Sequence, residues 1–343
     1  MTEQGDVARL AGSRARWRAG EAVFWVLVIA CAWLFPSRYL IMTDIVRLAL
    51  FAMSLDLILG YAGIVSLGHA AFFGVGAYSA GLLALHGIIN EPVLALLAAG
   101  LAATTVGFLT SFLVIRGADL TRLMVTLGIA LLLEALAERF SNITGGTDGL
   151  QGIEMQPIFG LFAFDMFGKT GFFYCLIVMF LLFLLARRIV NSPFGLSLRA
   201  IRNNPLRAAA IGVPVNRRLI AVYTLAAFYA GIAGALFTQT TALASLDVFS
   251  FERSADLMLL LVIGGTGYLY GGLIGAVVFK MLQEVFSTLT PQYWQFWIGL
   301  VLVAIVLVGR TRLHRWALWL PNLLIRQFVG RKAVVAVPES EGS

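Results

Sequence analysis

Ionisable and nucleophilic side chains are sparse in this sequence, and the few that could do chemistry stand inside or beside long apolar runs. Asp56, Glu134 and Asp256 read as carboxylates without an obvious local partner. A carboxylate at membrane depth is expensive unless it faces protein or water, so each reads as part of an ion or proton relay, as a buried group bonded to a neighbouring helix, or as one snorkelling near an interface. Asp44 with Arg47, Glu138 with Arg139, and Lys280 with Glu284 are close in sequence and read as locally neutralised pairs. His69, His86 and His314 are too few and too scattered for a metal cluster, and no Ser, His and Asp arrangement has a supporting context. No metal site and no catalytic residue is expected.

One stretch imitates nucleotide chemistry. Residues 163–170 read AFDMFGKT, which fits a small residue, four others, then Gly-Lys-Thr. A phosphate loop needs glycine-permitted turns between a strand and a helix so that its amides converge on phosphate. This stretch has two phenylalanines and an aspartate instead, and no strand precedes it, so it is read as a chance match and the chain is expected to hold no cofactor.

The elements that must position these residues follow from composition. The 343 residues are 60% hydrophobic and 13% charged. Apolar runs of roughly 18 to 25 residues, long enough to cross a hydrocarbon core of about 30 Å as helices, recur from residue 21 to residue 309. Strand-like alternation is absent, which predicts an all-α, polytopic transmembrane helical bundle. The expected spans are 21–37, 39–59, 67–88, 92–115, 120–140, 170–190, 218–241, 254–269, 271–290 and 293–309, about ten crossings. The first follows basic residues as a signal peptide would, but AWLFPSRY after Cys31 offers no cleavage site, so it reads as a retained anchor. Cys31 and Cys175 both fall in spans, which excludes a disulfide framework.

The net charge of +7 is topogenic rather than a nucleic-acid footprint, because the arginines lie in blocks between apolar runs. Arg9, Arg14, Arg16 and Arg18 precede the first run, Arg187 to Arg218 holds seven arginines and no acid, and a last cluster runs from Arg310 to Lys332. The segment 141–169 carries Asp148, Glu154 and Asp165 against one lysine. The positive-inside rule then predicts a cytoplasmic basic segment 1–20, a permeation domain 21–309 with an external loop 141–169 and a cytoplasmic loop 187–218, and a cytoplasmic tail 310–343.

Two glycine clusters interrupt the spans. Residues 60–81 read GYAGIVSLGHAAFFGVGAYSAG, with six glycines. Gly60, Gly63 and Gly68, around Ser66 and His69, predict a bent backbone entering a helix. Ala70, Gly74, Ala77 and Gly81 form one stripe for close helix packing, and His69 reads as a polar residue at the cytoplasmic mouth of the span. Residues 263–278, IGGTGYLYGGLIGAVV, also hold six glycines, among them Gly264, Gly265, Gly267, Gly271 and Gly272. Interrupted helices of this kind line substrate routes or pack tightly. In the loop 187–218, LSLRAIR and LRAAAIG predict two short helices separated at Asn204-Pro205 and ended by Gly212 and Pro214. Such a basic projection is either a docking surface or a loop lying on anionic lipid.

Taken with TGGTDGLQGI at 144–153 and PFGLSLRAIRNNPLRAAAIGV at 193–213, these stretches resemble the LivM branch of the branched-chain amino acid ABC transporter permeases, over about residues 48–310. The resemblance implies an importer subunit in the inner membrane of a bacterium, working by alternating access with a second, related permease, two cytoplasmic ATPases that bind ATP and Mg, and an external or periplasmic solute-binding protein. It implies no enzyme activity in the chain itself. Ala200, Arg202, Ala208, Ala209 and Gly212 match the family's ATPase-coupling segment, although Arg207 stands where a Glu often precedes two alanines. Asp56 stands where a neutral amide is expected. Branched-chain amino acids are the leading substrates, with urea, short amides and small carboxylates carried elsewhere in the family. An ion-coupled secondary carrier using Asp56, Glu134 or Asp256 is the rival reading, and a membrane scaffold the third.

Overall fold

The computed structural model describes residues 19–308 apart from 118 and 166, so the expected basic segment up to residue 18 and the whole expected tail 310–343 lie outside the described residues. Every expected apolar segment is helical. The helices are α1 (Ala19–Leu34), α2 (Tyr39–Asp56), α3 (Ala70–Leu85), α4 (Pro92–Arg116), α5 (Asp119–Arg139) and α6 (Lys169–Val190). They continue with α7 (Pro193–Asn203), α8 (Pro205–Ala210), α9 (Val215–Thr241), α10 (Phe251–Gly264), α11 (Leu269–Leu289) and α12 (Trp294–Val308). Among the described residues there is no strand, only two isolated β-bridges, one of which ties Leu150 in the loop 141–169 to Ala244 after α9.

Five of these helices, α4, α5, α6, α9 and α11, are long and apolar enough to cross a membrane singly, and α1 with α2 forms a pair bent by 96° that would add a sixth. This is fewer than the ten expected spans. Part of the difference has a geometric cause: α3 has 16 residues and α10 has 14, because the backbone before the one and after the other is irregular, and α12 with 15 is short as well. The expected entry of α3 at residue 67 falls in irregular backbone and the expected span 254–269 is interrupted at 265–268; around these breaks Gly63, Gly265 and Gly267 take left-handed φ of 76°, 102° and 80°.

Helix ends show the expected local chemistry. Glu91 accepts a hydrogen bond from the Leu94 amide at 2.7 Å and Pro92 opens α4, a cap followed by the one residue that needs no amide partner there. The Pro92 carbonyl in turn accepts from Gln239 Nε2 of α9 at 2.8 Å and from the Tyr174 hydroxyl of α6 at 3.3 Å, which joins three helices at one atom.

The chain forms two compact units divided between Met281 and Leu282. In the first, α9 is the centre. Its apolar window is 72% buried, against 17% for that of α5. Burial this deep requires neighbours at backbone distance. A Cβ on Gly231 would lie 3.3 Å from the Ala99 carbonyl oxygen and overlap the Ala103 side chain of α4, while a Cβ on Gly76 of α3 would overlap the Gly231 backbone from the other side. Gly234 meets α3 in the same way at Phe73 and Ala77, and Gly107 of α4 meets Ala227. Without a hydrophobic driving force between helices in lipid, such contacts are the main source of association.

The stripe read from sequence is therefore only part of α3's packing. Ala70 and Ala77 are fully buried and Gly81 faces Ile153, Leu150 and Thr238, but Gly74 faces the Phe249 ring, and the closest helix contact is made by Gly76, one face over. On the other flank α1 is held by an ion pair between Glu21 and Arg187 and by Trp25 packed edge-on against Phe180 and Phe183. In the second unit, Phe286 and Trp297 stack with centroids 6.2 Å apart.

Because Gly231 has backbone on two sides, Gly231→Leu is expected to destabilise the protein by about 2 kcal/mol or more, read as a lower unfolding temperature in detergent. Gly128→Ala on α5, where a Cβ meets nothing within 4 Å, is the matched control and is expected to leave that temperature unchanged or slightly raised.

Candidate functional site

The two glycine clusters, far apart in sequence, meet. α2 ends at Asp56, and Leu57–Tyr61 continue as a π-helical turn before the irregular run into α3. A π turn is a wider backbone ring found mostly as single turns at functional positions. Asp56 is fully buried, and its Oδ1 accepts a hydrogen bond from the Gly267 amide at 2.7 Å. Gly60 has no room for a side chain: a Cβ there would lie 2.8 Å from Asp56 Cγ and overlap the Gly267 nitrogen. Gly68 abuts the Thr126 backbone of α5 as closely, and the Thr126 hydroxyl accepts from the Leu67 amide at 3.2 Å. α3's first amide, that of Ala70, donates to the Ser254 hydroxyl of α10 at 3.0 Å.

The second cluster folds back on itself. The Gly265 amide donates to the Leu261 carbonyl at 2.7 Å and closes α10, while Gly264, Gly271 and Gly275 let α11 cross α10 at backbone contact. A Cβ on Gly272 would lie 3.2 Å from Ala52 of α2. Gly264, Gly271 and Gly272 are thus packing residues, whereas Gly265 and Gly267 shape the turn.

His69 is not at an open mouth. It is fully buried, its Nε2 is 2.8 Å from the Ser54 hydroxyl of α2, and its ring stacks on Phe51 with centroids 5.8 Å apart. Ser66 is likewise fully buried. Sequence alone placed His69 near a span end because the unbroken apolar run begins there. The close approach of α2 and α3 encloses it.

The loop 187–218 forms the two helices its sequence predicts, α7 and α8. Asn204 separates them and caps α8 by accepting from the Arg207 amide at 2.9 Å. Gly212 ends the unit at a left-handed φ of 87°. α7 turns Leu198 and Ile201 inward, and a Cβ on Gly195 would overlap the last turn of α6. Ala208 is buried and Ala200 half-buried, while Ala209 and Gly212 are exposed. Leu206 and Ile211 stand 82% and 72% exposed beside Arg207, an apolar and basic surface together. From the inner side of α7, Arg202 donates to the Gly60 carbonyl, and the Arg199 guanidinium lies over the Tyr61 ring at 5.3 Å. The structure thus brings Arg202, Asp56, Gly60, Gly63 and Gly267 together, and leaves Ala208, Ala209 and Gly212 at a distance from them in the second helix of the loop.

The remaining charges form separate groups. Asp44 pairs with Arg47, and Lys280 of α11 lies 3.4 Å from the other oxygen of Asp44, a partner on another helix that the spacing of Lys280 and Glu284 did not suggest. Arg47 also donates to the Phe237 carbonyl and the Thr240 hydroxyl of α9 and lies over the Phe237 ring at 5.0 Å. Arg253 sits over the same ring at 5.1 Å and pairs with Asp247 at 2.6 Å. Asp256 is half-buried one turn along α10, and Glu134 half-buried on α5. The three carboxylates of a hypothetical relay are therefore on three different elements, and only Asp56 joins the glycine turns.

Outside the spans, Asp165 accepts from the Thr170 amide at 2.8 Å and the Lys169 amide at 3.2 Å. Burial, the largest single effect, pushes its carboxyl up, but these amides and the Thr170 side chain outweigh it and hold it below the usual carboxylate range. The amides that a phosphate loop would aim at a ligand are occupied by an aspartate of the same segment. Among the described residues, no group of three His, Cys, Asp or Glu is placed to hold a metal ion.

A helical membrane protein whose spans are broken at two touching glycine turns, with a basic helical pair seated on them, has the organisation of a multi-pass transport permease. The family described as branched-chain amino acid transport system / permease component matches residues 37–306, and the chain belongs to that family. It is similar to the high-affinity branched-chain amino acid transport system permease protein LivM of Escherichia coli K12, with 28% identity over 76% of this chain and 67% of the relative. It is similar also to the probable branched-chain amino acid transport permease protein LivH of Methanocaldococcus jannaschii, at 28% over 70% of this chain and 77% of that one. A third relative, the ribose import permease protein RbsC of Bacillus subtilis, is 29% identical over 46% of this chain and 53% of its own length. No solved structure matches the chain.

The Asp44 carboxylate faces both Arg47 and Lys280, so its removal takes an opposite charge from two cations at once. Asp44→Ala is expected to cost about 1 kcal/mol of stability, since the carboxylate is partly exposed. The double variant Asp44→Ala with Lys280→Met should recover part of that loss, and unfolding temperatures in detergent check both.

Proposed function

We propose that this chain is the membrane-spanning permease subunit of an ATP-driven importer and that its substrates are branched-chain amino acids. The observation that carries the reading is the α7–α8 pair: a compact basic projection with Leu206 and Ile211 exposed on its outer side and Arg202 and Arg199 fastened to the helix breaks on its inner side. Exposed leucine and isoleucine beside arginine fit a protein groove with acidic edges better than they fit water. The occupant is an ATPase subunit, one of two, each holding ATP and Mg. A second, related permease completes the path, and a solute-binding protein delivers substrate from outside.

In this reading all ten helical segments other than α7 and α8 cross the bacterial inner membrane, the short α3 and α10 being completed by glycine turns. Both termini are then cytoplasmic, as is the α7–α8 pair, and the loop 141–169 is external. The arginine distribution supports this arrangement. ATP binding closes the ATPases and carries α8 and α7 with them, and the two permeases alternate between outward and inward access. The family description and the LivM and LivH relatives support amino-acid cargo, while RbsC marks sugars as the competing class.

The deciding experiment places this chain with its second permease, ATPases and binding protein in liposomes and follows labelled leucine and ribose. ATP-dependent leucine uptake that fails without the ATPases is the expected result. Accumulation by this chain alone under a proton or sodium gradient would instead establish a secondary carrier. Leu206→Glu and Ala209→Trp on α8 are expected to lower ATP-driven uptake about tenfold or more by disturbing the groove contact. Unaltered uptake and ATPase rates in both would sink the docking role of α8.

A further inference from the structure

Three segments separated by up to 211 residues converge on one point. Asp56, at the end of α2, holds the Gly267 amide of the turn between α10 and α11. Arg202 of α7 donates to the Gly60 carbonyl in the π turn. Cβ atoms added at Gly63 and Gly267 would lie 3.1 Å from Arg202 Cγ and 3.0 Å from its Nη1, so the stem of the side chain rests on the first glycine turn and its guanidinium on the second. Arg199, three residues earlier, lies over Tyr61 at the end of the same π turn. Among the described residues these are the contacts through which α7 reaches the two breaks.

We propose that Asp56 and Arg202 are positioning residues that lock the π turn at 57–61 and the turn at 265–268 onto α7, so that a displacement of α7 reaches both breaks together. The inference rests on the reading of α7–α8 as the segment moved by the ATPases, and it assigns where in the permease that motion is received. Its physical basis is the kind of atom engaged. Arg202 grips a main-chain carbonyl and Asp56 a main-chain amide, so a shift of α7 is passed to backbone rather than absorbed by a side chain that can change rotamer. The receiving backbone is the part best able to move. Gly63 and Gly267 already occupy left-handed φ of 76° and 80°, and a π turn can exchange its hydrogen-bond register with its neighbours at modest cost. Packed helices on either side respond as rigid bodies, so movement at these hinges becomes rotation of α10 and α11 against α2 and α3.

Asp56 serves here as a hydrogen-bond acceptor, not as a carrier of charge. That separates it from the ion-relay reading, which needs its proton to exchange. An amide side chain offers the same oxygen to the Gly267 N–H, and an alanine offers none.

The test uses the full complex in proteoliposomes, with labelled leucine taken up per ATP hydrolysed as the readout. Asp56→Ala and Arg202→Ala are each expected to lower this ratio about tenfold, the size of a typical loss of coupling, and the double variant to fall no lower than the lower single one. Asp56→Asn is expected to stay within about threefold of wild type, since a conserved hydrogen bond leaves only a small difference. Wild-type ratios in both alanine variants would overturn the inference while leaving the permease reading standing. A loss in Asp56→Asn as deep as in Asp56→Ala would also overturn it, by assigning the effect to charge. If Asp56→Ala does not assemble, Arg202→Ala, whose side chain lies on the exposed loop, decides the matter alone. A second measurement is independent of cargo: hydrogen exchange in 57–64 and 263–268 should change together between the nucleotide-free and vanadate-trapped complex. In Arg202→Ala that joint change should be lost, and its persistence would refute the lock. ATP-independent uptake by the wild-type chain alone would instead refute the importer reading.

Discussion

In hydrocarbon no water is present to complete a backbone hydrogen bond, so wherever a membrane helix breaks, the freed amide must be answered by the protein itself. This chain answers each break with a side chain from another helix. The Gly267 amide goes to Asp56, the Ala70 amide to Ser254 and the Leu67 amide to Thr126. The end of α2 therefore supports the turn after α10, α10 supports the start of α3, and α5 supports the run that enters it.

The second constraint is distance. Oxygen and nitrogen atoms meet across these breaks only because neighbouring backbones are closer than a side chain would permit. Gly60 admits the Asp56 carboxylate to the Gly267 amide, and Gly68 brings the chain against Thr126. At the centre, Gly231 and Gly234 draw α3 and α4 onto α9, the most buried of the long helices. α9 begins shortly after the α7–α8 pair, at Val215, and α7 is fastened to the breaks through Arg202. The basic loop is thus joined to the interior both along the chain and through side-chain contacts. The ionised groups near α9 keep apart from this route, with Arg47 and Arg253 on opposite contacts of one phenylalanine and their carboxylates beside them.

Much of this was legible in sequence because it depends on local chemistry. Apolar length located each helix, Asn204-Pro205 divided α7 from α8, and the glycine density around residues 60 and 265 announced irregular backbone. Other features were misplaced for equally physical reasons. The stripe through Ala70 and Gly81 was visible as a repeat, but the tightest contact of α3 runs through Gly76, since helix crossing is set by both partners and not by one face. The small residues of AGIAGA at 230–235 were the available signal. His69, read as a polar residue at the cytoplasmic mouth of its span, is enclosed by Ser54 and Phe51. Lys280 looked neutralised within its own helix and meets Asp44.

Sequence by itself determined that the chain is a membrane protein built of helices, which stretches hold those helices, and that the family motifs stand in order along it. These are properties of composition and of residues a few positions apart, where helical geometry fixes the neighbours. Tertiary structure alone decided which break touches which. Asp56 read as part of a relay, as a snorkelling carboxylate or as a buried group bonded to a neighbouring helix, and nothing within reach along the chain named a partner. Its answer lies 211 residues away, at an amide exposed only because Gly267 turns left-handed and approachable only because Gly60 lacks a side chain.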